Sequence, residues 1–181
     1  AEKPSVAQSY AKNLSAYKRE DGYLEGESCI VSWCLGHLAE YAQPEEYDPK
    51  YEKWQFDDLP ILPVAWKLKV SKDKKKQFDV LKGLMNRSDV EYLVNGCDAG
   101  REGELIFQRV YDLVGCRKPV KRLWISSMED AAIQKGFQRM KSEEEYKNLC
   151  MAAVCRAQAD WLIGMNGTSG YTTRYFKRLV V

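Results

Sequence analysis

The chain has a single histidine, only six prolines and no apolar run near the roughly 20 residues that span a bilayer, so no membrane segment is expected. Its six cysteines, Cys29, Cys34, Cys97, Cys116, Cys150 and Cys155, include no CxxC pair. Most of them sit in apolar runs and read as small hydrophobes, which excludes a zinc knuckle or a disulfide framework. Charge of one sign is also lacking: 28 basic against 26 acidic residues give a net charge of +2, too mild to announce a nucleic-acid partner, so any partner must be argued from local pattern. The N-terminus AEKPSVAQ has neither a basic n-region nor an apolar h-region, and a cytoplasmic location is the default expectation. The chain lacks an initiating Met and ends on apolar LVV, which reads as a fragment cut at both ends. What it does have, 181 residues at 45% hydrophobic and 30% charged, suits one globular domain with part of a second.

Strand and helix patterns alternate along the chain. Val6, Tyr10 and Leu14 recur at helical spacing behind Pro4, a residue favoured in a first turn, so residues 4–15 predict an amphipathic helix whose feeding strand is missing or truncated. SCIVSW (28–33) and VAWKLKV (64–70) predict strands, and residues 39–63, rich in Pro, Tyr and acids, predict a long loop. A helix over 71–88 puts Phe78, Leu81 and Met85 on one face behind a lysine-dense, solvated first turn. Strand VEYLV (90–94), helix 101–114 with an Ile106, Val110, Leu113, Val114 stripe, strand VKRLWI (120–125) and helix 128–140, capped by Ser127, follow. Strand, helix, strand, helix at this spacing implies a right-handed βαβ crossover, a mostly parallel sheet flanked by helices, and an α/β fold. From Ser142 a capping box to Glu145 opens one long helical pattern with no following strand. The expected domains are therefore 1–140 and 141–181.

The chemistry concentrates in CDAGREGELIF (97–107), at the carboxyl end of a predicted strand, where α/β sheets bind ligands. Asp98 ends the strand and Glu102 enters the first helical turn, so both carboxylates can face one cation, while Glu104 lies about 200° round the helix from Glu102 and points elsewhere. Two adjacent carboxylates repel unless a divalent ion lies between them, and Mg²⁺ takes one or two carboxylates plus waters and phosphate oxygens. The alternative is that acids in a first turn only offset the helix dipole, worth about 0.3–1 kcal/mol. Gly100 and Gly103, and a second acid at a helix entrance, Glu2 beside Lys3, favour the metal site. His37 alone suggests a packed or capping residue; Arg156 and Asp160, at i and i+4, a surface ion pair. Trp161 reads as core.

AEKPSVAQSYA, SWCLGHLAE, CDAGREGELIF, RLWISSM and RAQADWLIGMN, in that order and over essentially the whole chain, resemble the amino-terminal part of a bacterial type IA DNA topoisomerase of the topoisomerase III kind. The first four resemble its Toprim domain, a Rossmann-like fold, and the last the helical domain that follows. The resemblance implies Glu2 as general acid/base, Lys3 as a phosphate contact, His37 near the active site, and Mg²⁺ on Glu2, Asp98 and Glu102, with Gly100 where the family's DxDxE pattern has its middle acid. It implies Lys3, Arg156 and Asp160 against single-stranded DNA, and the remainder of the topoisomerase chain as a partner; Arg101 either faces DNA phosphate, as a DNA-binding residue, or sits exposed beside the acids. The implied reaction is strand cleavage and religation through a 5′-phosphotyrosine. None of the eleven tyrosines has the family's Y-x-R-T-type setting: Tyr171 is followed by Thr172, Thr173 and Arg174, and Tyr175 by FKR, so the chain alone is expected to be inactive. A Toprim primase or nuclease-type phosphotransfer enzyme, and a non-catalytic DNA-binding module, stay open; RAQADWLIGMN speaks for the topoisomerase over the former, and Gly100 motivates the latter.

Overall fold

A computed structural model describes residues 1–176; the last part of the predicted second domain, and most of the FKR after Tyr175, lie outside the described residues. The chain forms two compact units, residues 1–40 with 70–153, and residues 41–69 with those described from 154 on. Each is mixed from elements distant in sequence, whereas the boundary expected at 140/141 is a single cut along the chain.

In the first unit helix α1 (Pro4–Asn13) begins on its proline and buries Ala7, Tyr10 and Ala11; of the expected Val6, Tyr10 and Leu14 stripe only Tyr10 is fully buried, with Val6 and Leu14 half-buried at its edge. Strands β1 (Lys18–Glu20), β2 (Tyr23–Glu25) and β3 (Ile30–Ser32) form an antiparallel meander. The β1–β2 turn is Asp21-Gly22, between the paired Glu20 and Tyr23. Gly22 sits at φ +86°, a left-handed conformation that glycine adopts without strain. Helix α2 (Lys75–Met85) buries Phe78, Leu81 and Met85, as its spacing predicts, but starts after a separate 3₁₀ turn at Lys72–Lys74. Strand β4 (Leu93–Asn95), helix α3 (Arg101–Val114) and strand β5 (Val120–Arg122) form the expected crossover, with β4 and β5 parallel and Asn95 opposite Arg122. Helix α4 (Asp130–Gln138) returns the chain to β6 (Lys141–Ser142), antiparallel to β5. The fold class is α/β, with the parallel pairing seen at β4–β5. Two apolar clusters hold the unit. Phe78, Leu81, Met85, Ile106, Phe107 and Val110 pack with Leu38, Cys34, Cys97 and Cys116; Ala7, Tyr10, Ala11, Val31, Leu123 and Ile133 form the other. Each large side chain so buried contributes roughly 1.5–3 kcal/mol. The three most buried thiols lie in this core, and all six cysteines are free.

The long loop expected over 39–63 is built from short elements instead. Strand Ala39–Tyr41 pairs with Leu68–Val70, and a helical turn at Pro44–Tyr47 is followed by 3₁₀ turns at Pro49–Glu52 and Phe56–Asp58. Prolines open two of these turns, but each element is too short to show a hydrophobic period. In the second unit Tyr41, Tyr47, Trp66 and Trp161 form a ring cluster with centroids 4.7–5.7 Å apart, and the Trp161 indole N–H donates to Ala42 O at 3.2 Å. Asn166 satisfies both backbone groups of Ile61, accepting from its N–H at 2.5 Å and donating to its carbonyl at 3.0 Å.

Both predicted caps shift. Ser142 Oγ accepts from the Glu144 N–H and opens a 3₁₀ turn (Glu143–Tyr146), so helix α5 (Lys147–Tyr171) starts five residues late. Glu145 cannot close the box because Lys141 holds its carboxylate at 2.7 Å. Ser127 Oγ accepts from Glu129, and Asp130 is engaged by Lys12 and Asn13 of α1. No helix among the described residues is long and apolar enough to cross a membrane.

Candidate active site

Two segments of the first unit deliver acids to one place. The chain at Ala1 runs beside the end of β3, its nitrogen donating to Ser32 O and its carbonyl accepting from Cys34 N–H, both at 2.8 Å. Glu2 follows, just before α1, with its carbonyl accepting from Gly36 N–H at 3.4 Å. On the other side, β4 ends at Asn95 and residues 96–100 loop into α3. The loop lies directly on the first turn of that helix: a Cβ at Gly103 would stand 2.1 Å from Asp98 O and 2.9 Å from Asp98 N. Only glycine permits that approach. Gly100 differs, being in extended backbone with nothing within 4 Å of where its Cβ would be, so neither sterics nor conformation demands glycine there.

Glu2 and Asp98 interact. Burial raises the Glu2 pKa above its ordinary value, and the Asp98 charge raises it further; Lys3, with Nζ 3.9 Å from Glu2 Oε1, and the Asp98 backbone amide act in the opposite sense. Oε2 of Glu2 is buried and has no hydrogen-bond partner among the described residues. Two carboxylates so placed share a proton or a cation between them, a donor set that a divalent ion fits.

Glu102 is exposed on the first turn of α3 and hydrogen-bonds His37 Nε2 through Oε1. Arg109 Nη1 lies 3.5 Å from His37 Nδ1 and donates to Ala39 O at 3.2 Å, and Lys74 Nζ donates to His37 O at 2.9 Å. Because a guanidinium only donates, this arrangement favours the imidazole tautomer with its proton on Nε2, toward Glu102. Among the described residues no three His, Cys, Asp or Glu side chains converge as a ready metal cage. The fit to a divalent ion is therefore a two-carboxylate one, Glu2 with Asp98, and Glu102 is held off by His37. Two carboxylates completed by water and phosphate oxygens suffice for Mg²⁺.

Beneath the loop lies a network the sequence did not reveal. Arg122, fully buried, pairs through Nε with Glu104 Oε1 at 2.5 Å, and its Nη groups donate to the carbonyls of Asn95, Cys97, Asp98 and Leu123. Glu104 does point away from Glu102, as its spacing requires, and is buried. Its partner stands 18 residues away in an alternating strand, where a lone Arg at an inward position was the available signal. Of the remaining predicted residues, Lys3 and Arg101 are exposed in the first unit. Arg156 and Asp160, both exposed in the second unit, form the i, i+4 ion pair at 3.6 Å, of a kind worth little in water.

The family model for the Toprim domain matches residues 1–128. The chain belongs to the Toprim family. The Toprim match holds β4, α3 and β5 together with Glu2, His37, Asp98 and Glu102. Over 179 residues the chain is 48% identical to DNA topoisomerase 3 of Bacillus subtilis (strain 168). The identity is 50% to DNA topoisomerase 3 of Bacillus thuringiensis (strain Al Hakam) and 45% to that of Staphylococcus epidermidis. Each match covers 99% of this chain and 25% of the relative, so the chain spans about a quarter of the length of these curated relatives.

Proposed function

We propose that this Toprim chain is the metal- and phosphate-handling part of a type IA DNA topoisomerase, which cleaves and religates single-stranded DNA. The observation that carries the reading is the buried, unpartnered Oε2 of Glu2 beside Asp98. In the whole protein a tyrosine oxygen forms a bond to a DNA phosphorus, the P–O3′ bond breaks, and the leaving 3′ oxygen takes a proton. Glu2 is the group to hold and return that proton, because burial and Asp98 raise its pKa above that of a free glutamate. Lys3 contacts phosphate, and His37 holds Glu102 until ligand arrives. Asp98 and Glu2, joined by Glu102, would hold Mg²⁺, which supplies charge neutralisation and positions the broken ends. Arg101 in the first unit contacts DNA phosphate, and Arg156 and Asp160 in the second contact the single strand. Residues 1–140 serve as the Toprim domain and 141–181 begin the DNA-binding domain; the nucleophile belongs to the remainder of the chain, and the setting is cytoplasmic.

The experiment is a Mg²⁺ titration by calorimetry with parent and Asp98→Asn chains, alongside anisotropy of a labelled single strand with parent and Arg156→Ala. Metal binding lost in the first variant and weaker DNA binding in the second support the proposal. Metal-independent behaviour of both chains leaves a non-catalytic module. Nucleotide incorporation or DNA hydrolysis by the parent alone points to a primase or nuclease.

A further inference from the structure

A buried ion pair is a poor way to stabilise a strand, since its desolvation commonly cancels its attraction. The Arg122–Glu104 pair is nonetheless fully enclosed, Arg122 at 0% and Glu104 at 1% exposure. Its geometry shows what it organises. Four of the five hydrogen bonds from the guanidinium go to carbonyls, and three of those carbonyls belong to the end of β4 and the acid loop that follows it: Asn95 at 3.0 Å, Cys97 at 2.7 Å and Asp98 at 2.7 Å. Glu104 closes the network from α3, its Oε2 accepting from Asn95 Nδ2 at 3.3 Å, while Asn95 Oδ1 accepts from Cys97 N–H at 3.2 Å. Drawing these carbonyls inward leaves the Asp98 side chain outside, where it meets Glu2. On the far side Gly103, having no Cβ, lets the loop seat directly on α3.

We propose that Arg122 and Glu104 are positioning residues: a buried pair that sets where the Asp98 carboxylate stands relative to Glu2, and thereby the affinity of that site for a divalent cation. This rests on the metal reading given above. Residues that orient ligands in this way typically change metal affinity 10–100-fold when replaced.

The test uses the chain as it stands, with Mn²⁺ as probe by electron paramagnetic resonance, urea unfolding as the check on folding, and backbone amide shifts of residues 95–98 measured without metal. Arg122→Met/Glu104→Leu exchanges the pair for apolar side chains. The expected result is unfolding at the parent's urea concentration or above, displaced amide shifts at 95–98, and Mn²⁺ affinity at least about tenfold weaker. Should that variant not fold, Arg122→Lys decides: it keeps the charge and loses the planar fork, and the same displacement and roughly tenfold loss are expected. Asp98→Asn separates the two readings. If it abolishes Mn²⁺ binding while the folded pair variant binds like the parent, the positioning role is overturned and the metal site stands. If Asp98→Asn binds like the parent, the metal site itself is overturned.

Discussion

Gly103→Ala tests how closely the acid loop is seated on α3. In an open helix the substitution stabilises by up to about 1 kcal/mol, because alanine loses less backbone freedom. Here the new Cβ would stand 2.1 Å from Asp98 O, so the loop must retreat by about 1 Å, at an overpacking cost of about 1–3 kcal/mol. The same retreat stretches the 2.7 Å bond from Arg122 Nη2 to Asp98 O past useful length, at about 1.5–3 kcal/mol for a charged donor. The sum is a net loss of about 1.5–6 kcal/mol, or roughly 3–24 °C in Tm for a chain of this size. Thermal and urea unfolding measure it, with Gly83→Ala as control: Gly83 lies exposed within α2 with nothing within 4 Å of its Cβ position, so that change should hold or raise stability. Opposite signs for one chemical change at two helical sites confirm the seating. A Gly103→Ala chain as stable as Gly83→Ala refutes it.

Gly100→Asp meets open space and extended backbone, so it should leave the urea midpoint unchanged while tightening Mn²⁺ binding; a loss of stability would contradict the open geometry. Glu143 is pushed up to about 7 by burial, with Glu104 adding to it. Its folded pKa lies above the unfolded value, so the folded chain holds a proton the unfolded one releases, and stability falls as pH rises from about 4.5 through about 7. Glu143→Gln should therefore raise the unfolding free energy at pH 8 by about 1 kcal/mol, once discounted for its partial exposure, and leave it unchanged at pH 4, as urea unfolding at the two pH values measures. Glu2→Gln should likewise raise stability at pH 8, since its carboxyl is also held above its ordinary value, yet weaken Mn²⁺ binding in calorimetry; equal metal affinity would remove Glu2 from the site.

Where side chains repeat with the helix, the pattern alone located the buried face: Phe78, Leu81 and Met85 on α2, Ile106 and Val110 on α3, Tyr10 on α1. The β1–β2 hairpin was harder to see. Its strands, KRE and YLE, are three residues long and largely charged, so alternation had nothing to register, and Asp21-Gly22 was the one cue. The elements of 39–63 escaped for a related reason, their aromatic residues finding partners such as Trp161 about a hundred positions on.

The acids themselves were legible, because Asp98 and Glu102 flank a strand-to-helix turn and Glu2 precedes a helix, and local spacing fixes where such residues point. So was the inward turn of Glu104, a matter of angle round one helix. Which acids meet was not a local property. Tertiary structure joined Glu2 to Asp98, gave Glu102 to His37, and buried Arg122 against Glu104 under the loop. Those pairings join residues 18 to 96 positions apart. They depend on how β3, β4 and α3 stack, which no periodicity within a single segment encodes.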